Sequence, residues 1–313
     1  MSPTTAPRPP APAPSPGGRR RLVVRAALSL TVLAAQLLAV VAWGVVTSAA
    51  AHAATPAPPR ALWVWQRQAP QQLVDFAVAH HVGVLYVSVS PTVLTDGDLP
   101  RLQALARLAE PAGLRLEALG GDPAWTNRPQ DALAWQHAAM STGLFQATHV
   151  DVEPYALAGW SKPKQRPAIA ARFLTLLDQL RDADPRPLEA DVPFWYGTIA
   201  SPSGARTLAD DVLDRVDAVT VMSYRDSASG ILDVGSDVLQ RADALEARSG
   251  RRVPVRLAAE TNPLTDCPYC TFASKGAGAL EAAITAVDEA AAAHPTYAGM
   301  AVEDASGWAA LAP

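Results

Sequence analysis

The sequence predicts a (β/α)8 barrel. Three observations carry that expectation: eight short apolar runs, helical patterns between them, and polar residues gathered where the runs end. The runs are Ala61 to Trp65, Val82 to Val89, Leu114 to Leu119, Thr148 to Val152, Leu188 to Phe194, Ala218 to Ser223, Val255 to Ala259 and Tyr297 to Val302. Several are too continuous in Val, Leu and Ala for a half-exposed antiparallel strand. They fit strands covered on both faces, as in a parallel sheet. Between them, helical patterns span Ala69 to His80, Leu99 to Glu110, Pro129 to Ser141, Pro167 to Asp182, Thr207 to Arg215, Gly235 to Ser249 and Ala277 to His294. Repeating strand-and-helix units over about 250 residues match the size of such a barrel. A doubly wound open sheet is the alternative, but no Gly-rich phosphate fingerprint follows the first strand.

The strand exits are acidic and aromatic, whereas the strand interiors are apolar. Strand four ends in Asp151 and Glu153, strand five in Asp191 before Trp195, and strand six in Met222-Ser223-Tyr224-Arg225-Asp226. Strand seven ends in Glu260, and strand eight in Glu303-Asp304 with Trp308 soon after. The segment from Phe145 to Tyr155 is the most informative. Strand side chains alternate, so His149, Asp151 and Glu153 share a face. An unpaired charge on an inward face costs several kcal/mol, so such a file of ionisable groups reads as one wall of a site. Carboxylates with Trp and Tyr platforms suit a carbohydrate. The expectation is that His149, Asp151, Glu153, Asp191, Tyr224, Glu260 and Glu303 meet at the C-terminal mouth.

The chain divides into three parts. Residues 1–25 form a Pro- and Ala-rich tail ending in Arg19, Arg20, Arg21 and Arg25, expected to be disordered. Residues 26–54 contain an uncharged run from Ala26 to Val46 followed by Ala51-His52-Ala53, an A-x-A cleavage pattern. This part is read either as a cleaved signal peptide or as a transmembrane anchor through residues 26–46. Either way, residues 55–313 form a barrel expected outside the cytoplasm. The formal net charge of −4 and the lack of a basic patch argue against a nucleic-acid partner.

Cys267 and Cys270 form Cys-Pro-Tyr-Cys after strand seven. The string matches a glutaredoxin redox motif, but without the helix N-terminus and small thioredoxin-like domain that chemistry needs. In an exported chain it reads as a local disulfide. No local residues complete a metal site, and no cofactor is implied.

The stretch from Gln146 to Glu153 resembles the strand-four motif D-x-x-D-x-D-x-E of family 18 glycoside hydrolases, the chitinase group. Asp151 and Glu153 keep its last two acidic positions, while Gln146 and His149 replace the first two. Met222-Ser223-Tyr224 resembles that family's M-x-Y motif on strand six. The resemblance implies an exported hydrolase of a polysaccharide rich in N-acetylhexosamine. In it, Glu153 is the general acid, Asp151 orients the substrate's acetamido group, and Tyr224 donates to it. Asp151 would raise the pKa of Glu153, and His149 would place a cation where the family shares a proton between acids.

A second mechanism is open. Val152-Glu153-Pro154 also resembles the N-E-P acid of retaining barrel glycosidases, in which Glu260 would be the nucleophile and Glu153 the acid/base. The competing function is an inactive glycan-binding or structural envelope barrel. His149 also reads as a hydrogen-bonded barrel residue, Asp191 as a cap of strand five, and Asp226 as an ion-pair partner of Arg225 or Arg256. At least one of Trp63 and Trp65 is core, while Trp195 and Trp308 are the sugar platforms.

Overall fold

The structure is a computed structural model that describes residues 57–313. The N-terminal tail and the signal or anchor segment, residues 1–54, lie outside the described residues. Eight strands pair in parallel and in chain order into a closed barrel. They are β1 (Arg60–Val64), β2 (Val82–Ser88), β3 (Arg115–Gly120), β4 (Ala147–Val150), β5 (Leu188–Pro193), β6 (Ala218–Met222), β7 (Val255–Glu260) and β8 (Tyr297–Glu303). The ring closes where Ala61 and Leu62 of β1 pair with Ala301 and Val302 of β8.

Helices occupy the outside: α1 (Pro70–Ala79), α2 (Leu99–Ala109), α3 (Pro129–Ser141), α4 (Arg166–Ala183), α5 (Leu208–Leu213), α6 (Ala228–Ser249), α7 (Ala277–Ala291) and α8 (Ala305–Ala310). No helix among the described residues is long and apolar enough to cross a membrane. The main core lies between strands and helices, with Leu62, Leu85, Val150, Val192, Val221 and Leu257 pointing out to meet Leu73, Leu105, Leu177 and Ile284. Each fully buried aliphatic side chain contributes about 1.5–3 kcal/mol. A second, smaller core fills the barrel itself: Ala61, Trp63, Val84, Tyr86, Leu119, Ala258 and Ala301. Strand alternation sorts the two sets.

Three elements differ from the sequence expectation. β4 stops at Val150 rather than Val152. The Asp151 amide still donates to the Gly120 carbonyl at 3.0 Å, but the chain then turns into a 3-10 segment at Pro154–Ala156. Pro154 has no N–H with which to extend a ladder. Gly121 permits this close approach, because any side chain there would strike the Asp151 carbonyl. α6 begins at Ala228, seven residues before the expected Gly235, capped by the Ser227 hydroxyl accepting from the Gly230 amide. Its small, glycine-containing first turn hides the helical pattern. α8 follows β8 directly, with Asp304 accepting from the Gly307 amide at 2.8 Å as N-cap.

Candidate active site

Cα pairing sets the heights of the side chains inside the barrel. His149 is level with Leu119 and Glu189, Asp191 with Thr220 and Arg256, and Glu260 with Glu303. The result is a column of charge along the barrel axis. Nearest the N-terminal end, Arg115 bridges two carboxylates, 3.2 Å from Glu117 Oε1 and 2.7 Å from Glu189 Oε1. Above them His149, fully buried, places Nδ1 3.1 Å from Glu117 Oε2 and Nε2 2.9 Å from Asp191 Oδ1. The Trp63 indole donates to the other Asp191 oxygen at 3.0 Å. Tyr86 stacks on the His149 ring at 3.7 Å, and its hydroxyl hydrogen-bonds Thr220 at 2.9 Å.

Glu117, His149 and Glu189 bring ligating atoms within 4.8 Å of one another. A metal would compete there with Arg115, whose guanidinium already joins the two carboxylates. Burial pulls the His149 pKa down, but Asp191 and Glu117 outweigh it and hold it at about 10. Burial, then Glu117, raise Glu189 to about 7 against Arg115 and His149.

Above the column the strand exits supply the polar residues of the mouth. Asp151 follows β4, and its Oδ1 is buried without a hydrogen-bond partner. Burial, Asp191 and Glu153 hold its carboxyl well above the usual range, with His149 opposing. Glu153 accepts from the Tyr155 hydroxyl through Oε1. Tyr155 belongs to an aromatic cluster after β4 and β5, its ring 5.2 Å from that of Trp195, which is in turn 6.3 Å from Trp160 and 5.2 Å from Tyr196. Tyr196 keeps a buried hydroxyl with no partner among the described residues.

Tyr224, just past β6, packs half-buried against the small core inside the barrel. Burial raises its phenol pKa, and Glu303, Asp191, Glu260 and Asp151 all push it further. Glu303 is raised to about 9 by burial, then by Glu260 and Asp191, against a hydrogen bond from Trp65. Glu260 turns one oxygen into its own loop, where Oε1 accepts from the Thr261 and Asn262 amides at 2.7 and 2.6 Å and from Asn262 Nδ2 at 2.9 Å. Burial nonetheless leaves its pKa raised.

The structure thus brings Asp151, Glu153, Tyr224, Glu260 and Glu303 to the strand exits with Trp195 half-buried beside them, whereas His149 and Asp191 lie below, buried inside the barrel rather than at its mouth. Two further expectations need correction. Trp308 is 2% exposed, with its ring 5.5 Å from Phe76 and 4.6 Å from His80, so it packs against α1 and offers no face to a sugar. Asp226 pairs with Lys275 at 2.8 Å, not with Arg225 or Arg256. Gln146 caps β3, accepting from the Leu116 amide at 2.7 Å. Cys267 and Cys270 are joined as expected. Between them the exposed Tyr269 lies under Arg225, whose guanidinium carbon is 5.8 Å from that ring and 4.9 Å from Phe194.

Sequence reading missed Glu117, Glu189, Trp63 as the Asp191 donor, and Tyr155. Glu117 and Glu189 carried a usable signal, since each is a carboxylate inside an apolar strand.

No protein-family profile and no curated protein matches the sequence. Solved structures do. A family 18 chitinase from Pseudoalteromonas aurantia superposes with a TM-score of 0.55 at 11% identity, covering 79% of this chain and 94% of that one. A chitinase from Chromobacterium violaceum gives 0.50 at 13% identity, covering 81% and 98%. A family 113 β-1,4-mannanase gives 0.52 at 11% identity, covering 83% and 91%. The fold is the (β/α)8 barrel that these glycoside hydrolases share. At these identities the likeness is one of fold, and the chemistry has to be argued from the site.

Proposed function

We propose that the protein is an exported glycoside hydrolase acting on a polysaccharide that contains N-acetylhexosamine, with Glu153 as general acid. The observation that carries this reading is the set of acids at successive strand exits, Glu153 held by Tyr155 after β4 and Glu260 level with Glu303 on β7 and β8, with Tyr224 following β6 against the inner barrel core. Export rests on the arginines, apolar run and A-x-A pattern of residues 19–53.

In this reaction Glu153 gives its proton to the glycosidic oxygen as the bond to the anomeric carbon breaks. The substrate's acetamido carbonyl forms the replacing bond to that carbon, with Asp151 and Tyr224 positioning the acetamido group. Water then attacks the anomeric carbon, Glu153 takes back a proton, and the acetamido group is released. Tyr155 supports this role by fixing one oxygen of Glu153. Glu260 suits it less well as a nucleophile, because three donors of its own loop hold one oxygen.

The replacement of two family aspartates by Gln146 and His149 favours one other reading, a glycan-binding barrel without catalysis. Incubation with chitin oligomers, peptidoglycan fragments and neutral polysaccharides, with reducing ends measured, decides between them. Cleavage by the wild type and its loss in Glu153→Gln support the enzyme. Glycan binding of equal affinity in both proteins, without cleavage, replaces it with the binding barrel.

A further inference from the structure

Both nitrogens of His149 face carboxylate oxygens, at 3.1 Å from Glu117 and 2.9 Å from Asp191. Each contact needs a proton, since two lone pairs at these distances repel. A neutral imidazole supplies only one. Either His149 carries both protons, or one of the acids is protonated. The remaining oxygens decide between these. Glu117 Oε1 faces the Arg115 guanidinium, and Asp191 Oδ2 accepts from Trp63. With donors on both oxygens, each carboxyl is placed as an acceptor, so both protons belong to the imidazole.

The titratable and charged groups around this ring come from four strands: Tyr86 on β2, Glu117 and Arg115 on β3, Glu189 and Asp191 on β5, and Asp151 just past the end of its own strand. Asp151 differs from the other acids here, because its Oδ1 is buried and has no donor. When like-charged acids share a site, the proton goes to the one with least compensation.

We propose that His149 is a positioning residue of fixed positive charge, held between Glu117 and Asp191, and that Asp151, the acid left without a donor, carries the proton of the site. The standing pKa of His149 at about 10 agrees with this. In consequence the mouth presents a neutral Asp151 hydroxyl to the ligand, and His149 does work that a second acid would otherwise do by sharing a proton. The role of that hydroxyl in hydrolysis rests on the proposed function, whereas the charge state does not.

Imidazole 15N spectra of the labelled wild type test it, with His149 assigned by its loss in His149→Gln. Both His149 nitrogens should be protonated with no titration between about pH 5.5 and 8.5, where an ordinary histidine loses its charge. A neutral tautomer anywhere in that range overturns the proposal. Carboxyl 13C spectra at neutral pH should show Asp151 protonated. Asp151 titrating near pH 4, like a free aspartate, also overturns it. If His149→Gln does not fold, Asp191→Asn serves: His149 should then begin to titrate within the neutral range, and an unchanged imidazolium refutes the pairing with Asp191. None of these spectra needs turnover. A fixed charge without glycan cleavage removes the proposed function alone, while cleavage with a neutral His149 removes this inference alone.

Discussion

Trp65 on one side of the barrel seam donates its indole N–H to Oε1 of Glu303 on the other, at 2.6 Å. The bond ties the exit of β1 to that of β8, and it is made to a carboxyl that burial and neighbouring acids hold at about 9. With His149 at about 10 deeper in the barrel, the site holds several protons that the unfolded chain would release near neutrality. The mouth is therefore built as an acid store above the buried His149.

Folding stability should consequently fall on the alkaline side. His149 has a folded pKa above its unfolded 6.5, so its contribution is complete below that value and is lost as pH rises through about 10. A carboxyl with a raised folded pKa acts in the same direction: Glu303 weakens the fold progressively from about pH 4.5 to about 9. Each group contributes a slope of about 1.4 kcal/mol per pH unit within its window. Urea unfolding at intervals from about pH 6 to 9 should show a steady decline, shallower in Glu303→Gln by about one group's share. A flat wild-type profile would contradict the proton store.

The two tryptophans expected as platforms should separate by phenotype. Trp308→Ala empties a core position against Phe76 and His80 and should cost about 3–5 kcal/mol of stability, with glycan affinity unchanged in the folded fraction. Trp195→Ala should leave stability closer to wild type and weaken glycan binding about tenfold, equivalent to about 1.4 kcal/mol. Calorimetry on both variants checks this. Equal losses of affinity would return Trp308 to the site.

Much of this architecture was legible in the sequence because strand period and burial coincide: Val82, Leu85 and Val87 could not be placed otherwise than in a covered strand. The exits were legible because Asp151, Glu260 and Glu303 follow or close apolar runs, while Asp191 interrupts one. The lower half of the charge column was not, since Glu117 and Glu189 lie within strands and the contacts that link them, Arg115 to Glu189 and His149 to Glu117, are made only through barrel register. Trp308 misled for a related reason. Its distance from β8 along the chain suggested the mouth, but the turn of α8 points its ring back onto α1.

The Cys267–Cys270 bridge closes a very short loop, so its stabilising effect is bounded. Chain entropy gives about 2 kcal/mol for a ring of this size. The double variant Cys267→Ser/Cys270→Ser should lose no more than that in urea unfolding. Thiol titration of denatured, unreduced wild-type protein should find no free thiol. Two free thiols in freshly exported protein would reopen a reduced, reactive pair.

The nucleophile is settled by comparing two carboxylates. Glu153→Gln removes the proton donor while keeping shape and the Tyr155 contact, so hydrolysis of a poorly activated glycoside should fall by about two to four orders of magnitude. A substrate with an activated leaving group needs less protonation and should lose less. Glu260→Gln discriminates the mechanism. If the substrate's acetamido group is the nucleophile, Glu260 shapes its loop through Thr261 and Asn262, and the change should reduce kcat severalfold at most. If Glu260 attacks the anomeric carbon, kcat collapses as far as in Glu153→Gln, and azide should restore turnover in neither the same way nor with the same anomer of product. Substrates lacking the acetamido group give an independent check. They should be inert under the first mechanism and cleaved under the second, so cleavage of a deacetylated oligomer by wild-type protein would transfer the nucleophile's role to Glu260.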